Sequence, residues 1–109
     1  GTALGTPRYM PPEQLRGDAE LDGRADGYSL AIVAYEMLSG IGPYPKSLDL
    51  YGAILAGKTM PLRQVMQDAP EAIEGVLARE LSLDPAARFP TVSEFAKAFA
   101  DASPVAPAP

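Results

Sequence analysis

Between Asp26 and Gly40 the chain reads Tyr28-Ser29-Leu30-Ala31-Ile32-Val33-Ala34-Tyr35-Glu36-Met37-Leu38, and from Leu30 to Tyr35 every residue is apolar or aromatic. The length of the stretch and its Ala, Leu and Met content favour a helix over a strand. A helix that is apolar on every face has to be surrounded by other elements, so this stretch predicts a central helix around which the rest packs. Asp26 suits its N-cap, and Gly40 suits the left-handed residue just past its end.

The flanking sequence supplies helices and no convincing strands. Gly1 to Gly23 is broken by Gly5, Pro7, Pro11, Pro12 and Gly17, so it reads as an ordered loop with short helical turns. A second helix is expected from Ser47 as N-cap, with Leu50, Tyr51, Ile54 and Leu55 on one face and Gly57 as its stop. Residues 58 to 69 read as irregular. Pro70 in a first turn opens a third helix carrying Ile73, Val76, Leu77 and Leu81, which Gly75 weakens by about 1 kcal/mol relative to alanine. Thr91-Val92-Ser93-Glu94 is a capping box, followed by the stripe Val92, Phe95, Ala96 and Phe99. The end, Ser103-Pro104-Val105-Ala106-Pro107-Ala108-Pro109, has no periodicity and reads as an extended linker. The expected fold class is all-α, with a helical body over residues 1–102 and a Pro/Ala-rich linker over 103–109.

Composition removes whole classes of chemistry. With no cysteine and no histidine among 109 residues, the chain itself can form no disulfide, zinc finger, haem ligation, thiol nucleophile or histidine base. A net charge of −5, with nine scattered basic residues, argues against a nucleic-acid surface. No run approaches the roughly 18 apolar residues that would span a membrane. The opening Gly1-Thr2-Ala3-Leu4, with neither an initiator methionine nor a signal peptide, reads as the interior of a longer protein.

The order of motifs points further. Gly5-Thr6-Pro7-Arg8-Tyr9-Met10-Pro11-Pro12-Glu13 resembles the end of a protein-kinase activation segment, with Pro11 in place of the alanine of A-P-E. Asp26-Gly27-Tyr28-Ser29-Leu30-Ala31 is similar to the opening of the central helix of the kinase large lobe. Tyr35-Glu36-Met37-Leu38-Ser39-Gly40-Ile41-Gly42-Pro43-Tyr44 is similar to the end of that helix, and Asp84-Pro85-Ala86-Ala87-Arg88-Phe89 resembles the D-P-x-x-R-F near the end of the domain. Together, in this order, they resemble the bacterial serine/threonine kinases of the eukaryotic-like type from Gly1 to about Ala102. The resemblance implies the helical large-lobe segment of the kinase-like fold.

The resemblance also implies roles. Thr6 would support the catalytic loop; the alternative for this residue is a turn threonine bonding its own backbone. Gly5, Thr6, Pro7, Arg8 and Tyr9 would line the substrate pocket, Gly5 letting the loop bend and Pro7 stiffening it. Glu13 and Arg88 would form a buried ion pair tying the segment to the helical core. Asp26 would accept hydrogen bonds from the catalytic loop as well as capping its helix. Thr2 sits where activation segments carry a phosphate; an unmodified loop threonine fits the residue as well. Gly27, Ala31 and Gly42 depart from the family pattern, and Gly27 is expected to loosen the first turn of the central helix.

A whole kinase of this type would use ATP and Mg²⁺ to phosphorylate Ser/Thr hydroxyls of protein substrates, in the cytoplasm or as the cytoplasmic part of a membrane-anchored kinase. The Gly-rich loop, the ATP-contacting lysine, H-R-D and D-F-G do not occur in this sequence. The 109-residue chain is therefore expected to hold no catalytic residue, to bind neither ATP nor Mg²⁺, and to be inactive alone, its partners being protein substrates and the remainder of a kinase domain. The alternative is a pseudokinase or truncated remnant acting as a protein-interaction module.

Overall fold

The structure, a computed structural model, describes residues 7–18, 22–46 and 49–103. After a 3₁₀ turn at Pro7–Tyr9 come α1 (Pro12–Leu15), α2 (Gly23–Ser39), α3 (Leu50–Ala56), α4 (Leu62–Val65) and α5 (Glu71–Glu80). A second 3₁₀ turn at Pro85–Ala87 leads into α6 (Val92–Ala102). No strand occurs among the described residues.

The core is built on α2. Tyr28, Ala31, Ile32 and Tyr35 are buried against Leu62 of α4, Ile73 and Leu77 of α5, Leu81, and Phe95 of α6. Phe89, Phe95 and Phe99 extend it as a chain of tilted rings with centroids 6.0 Å apart. Such aromatic pairs combine a large apolar area with favourable edge geometry. Polar tips inside are matched: the Tyr28 and Tyr44 hydroxyls lie 2.5 Å apart, and Tyr35 donates to the Met60 carbonyl at 2.9 Å. Burial pushes both the Tyr28 and Tyr44 phenols above their ordinary range.

The central helix differs from expectation in two ways. Its N-cap is Asp22, whose carboxylate accepts from the Arg24 N–H at 2.9 Å, so the helix begins a turn earlier than Asp26 implies. Asp26 lies exposed in the first turn. The apolar run is also covered on one side only: Leu30, Val33 and Met37 are 41%, 39% and 82% exposed. With Asp26 they recur at the four-, three- and four-residue spacings of a single helical face. At the other end Gly40 ends the helix at φ 81°, its N–H bonded to the Glu36 carbonyl.

The other helix starts shift for local reasons. Ser47 lies outside the described residues, and α3 is capped by Asp49, which accepts from the Gly52 N–H at 2.9 Å. On the face expected to be apolar, Ile54 is buried with Ala53, while Tyr51 and Leu55 stay exposed. Gly57 ends the helix at φ 68°. The stretch read as irregular contains the single turn α4 after Pro61. Pro70 sits at the N-cap of α5 rather than inside its first turn. Thr91 caps α6 by accepting from the Glu94 N–H at 3.1 Å, but the Glu94 carboxylate takes the Thr91 hydroxyl instead of the backbone N–H of a full capping box. The helix ends at Ala102, and residues 104–109 of the expected linker lie outside the described residues.

Candidate functional site

The turn Pro7–Tyr9 lies against α2 between Ser29 and Glu36. Pro7, Pro11 and Pro12 have no N–H to satisfy, so this proline-rich strip can pack closely without stranding donors. It is held by side chains. The Ser29 hydroxyl donates to the Tyr9 carbonyl at 2.5 Å, and the Tyr9 hydroxyl donates to Glu36 Oε1 at 2.6 Å. Arg8 forms an ion pair with the other oxygen of Glu36, and its guanidinium lies 5.1 Å from the Tyr9 ring centre. Ser29 and Glu36 are seven residues apart, two turns along one face of α2. Partial burial pushes the Glu36 carboxyl up, but the bonds from Tyr9 and Arg8 outweigh it and hold the group below the usual range.

Beside this cluster opens a cleft of about 340 Å³ between the C-terminal half of α2 and the start of α3. Ile32, Pro43, Tyr44 and Leu50 form its apolar wall, and Arg8, Glu36 and Lys46 its polar rim. A concave apolar surface edged by a few polar groups is the form taken by peptide and small-molecule sites.

The second anchor is at the other end of the strip. Arg88 Nη1 and Nη2 donate to Glu13 Oε2 and Oε1 at 2.7 and 2.9 Å. The remaining guanidinium hydrogens go to the carbonyls of Ser82, Arg24 and Leu83 at 2.9, 3.2 and 3.4 Å. All five donors of the fork are thus used. Arg88 is 1% exposed and Glu13 5%, and the guanidinium lies 4.7 Å from the centre of the Tyr28 ring.

The structure therefore brings Pro7, Arg8 and Tyr9 into one turn against α2 and joins Glu13 to Arg88. Thr2, Gly5 and Thr6 lie outside the described residues. Asp26 stands apart from both anchors, on the open apolar stripe. Two contributors escaped the sequence reading. Glu36 and Ser29 sit inside quoted motifs, and their seven-residue spacing is the signal that would have paired them. Gly27 lies within α2 and is buried where Glu80 packs. Among the described residues no three Asp or Glu side chains are grouped to hold a metal ion.

No protein-family profile matches the chain. Curated proteins do. It is 39% identical over 104 residues to the tyrosine-protein kinase MasK of Myxococcus xanthus, and 39% identical over 107 residues to the serine/threonine-protein kinase PknD of Mycobacterium tuberculosis. Each alignment covers 94% of this chain. The chain belongs to the protein kinase family. It spans only 15% and 16% of those two relatives. In fold this kinase segment is similar to the titin kinase, with a TM-score of 0.72, 21% identity, and coverage of 85% of this chain and 17% of the other. It is likewise similar to the twitchin kinase region of C. elegans, with a TM-score of 0.75, 19% identity, and coverage of 88% and 17%. At those identities the likeness is one of fold: the helical large-lobe segment.

Proposed function

We propose that this segment positions protein substrates in a serine/threonine kinase that, as a whole, transfers the γ-phosphoryl of ATP to Ser/Thr hydroxyls. The observation that carries the reading is the double anchoring of residues 7–13 onto the helical body, through Glu36 at one end and Arg88 at the other. Phosphoryl transfer depends on holding the acceptor in line with the nucleotide, so a loop that presents the acceptor has to be rigid. Pro7, Arg8 and Tyr9, together with Gly5 and Thr6, are the residues assigned to that loop. Thr6 is assigned the contact to the catalytic loop, Asp26 a partner in the same loop, and Thr2 an activating phosphate. The open stripe Leu30, Val33 and Met37 beside Asp26 supports a further part of a kinase domain packing there, because apolar side chains exposed in a row are costly unless covered. ATP and Mg²⁺ would be held by that further part, and the 109-residue chain would be inactive alone.

No helix among the described residues is long and apolar enough to cross a membrane. We place the segment on the cytoplasmic side, with or without an anchor elsewhere in the protein. The test is radiolabelled phosphate transfer by the full-length protein to Ser/Thr and Tyr peptide libraries with ATP and Mg²⁺. The reading expects label on Ser or Thr; transfer confined to tyrosine would overturn the specificity, and no transfer with any acceptor would favour an interaction module.

A further inference from the structure

Glu80, the last residue of α5, is an unusual group to bury in this core. It is 0% exposed, its Oε1 accepts from the Phe89 N–H at 3.0 Å, and its Oε2 has no hydrogen-bond partner. The room for it is made by α2: a Cβ on Gly27 would lie 3.0 Å from the Glu80 carboxyl carbon and would overlap Oε2 outright. Any other residue at position 27 would force the carboxyl to shift. The nearby cation cannot rescue Oε2 with a hydrogen bond, because every donor of Arg88 is already spent on Glu13, Ser82, Arg24 and Leu83. A buried carboxylate with one oxygen unsatisfied carries a large desolvation cost, which protonation removes.

We propose that Glu80 is a pH-dependent latch: as the neutral acid it fills the notch left by Gly27 and fixes the backbone at Phe89, next to Arg88, and its ionisation loosens the seam that anchors Glu13. The charged groups bearing on it are Arg88 and, on its own helix, Arg79, whose guanidinium is stacked 4.0 Å over the Phe89 ring. From α2 it meets Gly27, with Tyr28 adjacent under the Arg88 guanidinium, and from α1 the carboxylate of Glu13 neutralises Arg88. Burial pushes the Glu80 carboxyl above its ordinary range, and the Phe89 bond and the two arginines oppose this without cancelling it. A folded-state value above the unfolded one means the folded protein holds the extra proton. The stability this confers is present in acid and is lost as pH rises from about 4.5 through the folded value.

The test is thermal and chemical unfolding of the full-length protein and its Glu80→Gln variant between pH 5 and pH 8. Glutamine keeps the acceptor for Phe89 and cannot ionise. The wild type should lose up to about tenfold in folding constant per pH unit relative to the variant until Glu80 is ionised, and then run parallel to it. A difference between the two that does not change with pH would overturn the latch. A second pair tests the notch. Gly27→Ala should destabilise the wild type but stabilise a Glu80→Ala background, where only the helix propensity of alanine is felt. Equal effects in both backgrounds would overturn the assignment of Gly27.

Discussion

Replacing Arg88 with alanine tests the anchor most directly. The substitution leaves Glu13 buried without its cation and strips hydrogen bonds from the carbonyls of Ser82, Arg24 and Leu83. Removing one partner of a buried ion pair costs about 3–5 kcal/mol, because the surviving charge has neither water nor counter-ion. For a domain of roughly 150–250 residues that is a fall in Tm of about 6–20 °C. The loss should also have a location. The amides of Arg16, Gly17 and Asp18 donate to the carbonyls of Pro12, Gln14 and Glu13, so their hydrogen exchange reports whether α1 stays formed. In the full-length protein Arg88→Ala should speed exchange at these amides more than at Ala31 or Ile32 in the core. The partner change Glu13→Gln should cost less and should be non-additive with Arg88→Ala by about 0.5–3 kcal/mol, since both remove one shared contact. Unfolding of Arg88→Ala within about 0.5 kcal/mol of wild type, the range of an inconsequential surface change, with unchanged exchange in α1, would refute the reasoning.

Three further outcomes are expected. Asp22→Ala should cost about 1 kcal/mol as loss of the α2 cap, whereas Asp26→Ala should stay within about 0.5 kcal/mol in the 109-residue chain; urea denaturation compares them, and the reverse order would place the cap wrongly. Glu36 has a folded value below the unfolded one, so the stability it adds is present above about 4.5 and is lost as pH falls through the folded value. Acid titration followed by NMR of Tyr9 should show release of this contact, and Glu36→Gln should abolish the step; this limb has the opposite sign to that of Glu80. Met37→Lys leaves every described core contact in place, so it should leave the fold of the 109-residue chain unchanged by circular dichroism. It should lower the phosphotransfer rate of the full-length protein if the stripe is covered there; an unaltered rate would mean that it is not.

Local chemistry made much of the helical layout legible. The glycines at 40 and 57 end helices because their positive φ suits no other residue as well, and Thr91 caps α6 because its hydroxyl reaches the Glu94 amide. These signals act within a few residues and so survive without the rest of the molecule. The start of α2 was misplaced because Asp22 and Asp26 are equally good caps by type, and only the backbone path distinguishes them. Pro7, Arg8 and Tyr9 were visible as motif positions. The Glu36 cluster was not, since pairing Arg8 and Tyr9 with a carboxylate 28 and 27 positions away requires the helix to lie beneath them.

By itself, then, the sequence determined an all-α chain, its principal helices and the motif order that marks a kinase segment, because helix periodicity, caps and breakers are local interactions. Tertiary structure decided which side of α2 is covered, that Arg88 spends all five donors on the strip and its surroundings, and that Gly27 exists as a notch for Glu80. Those depend on distant parts of the chain meeting, and burial there sets the cost of every unpaired charge. The apolar run that promised a fully enclosed helix is covered on one side by this chain, and Leu30, Val33 and Met37 show where the covering stops.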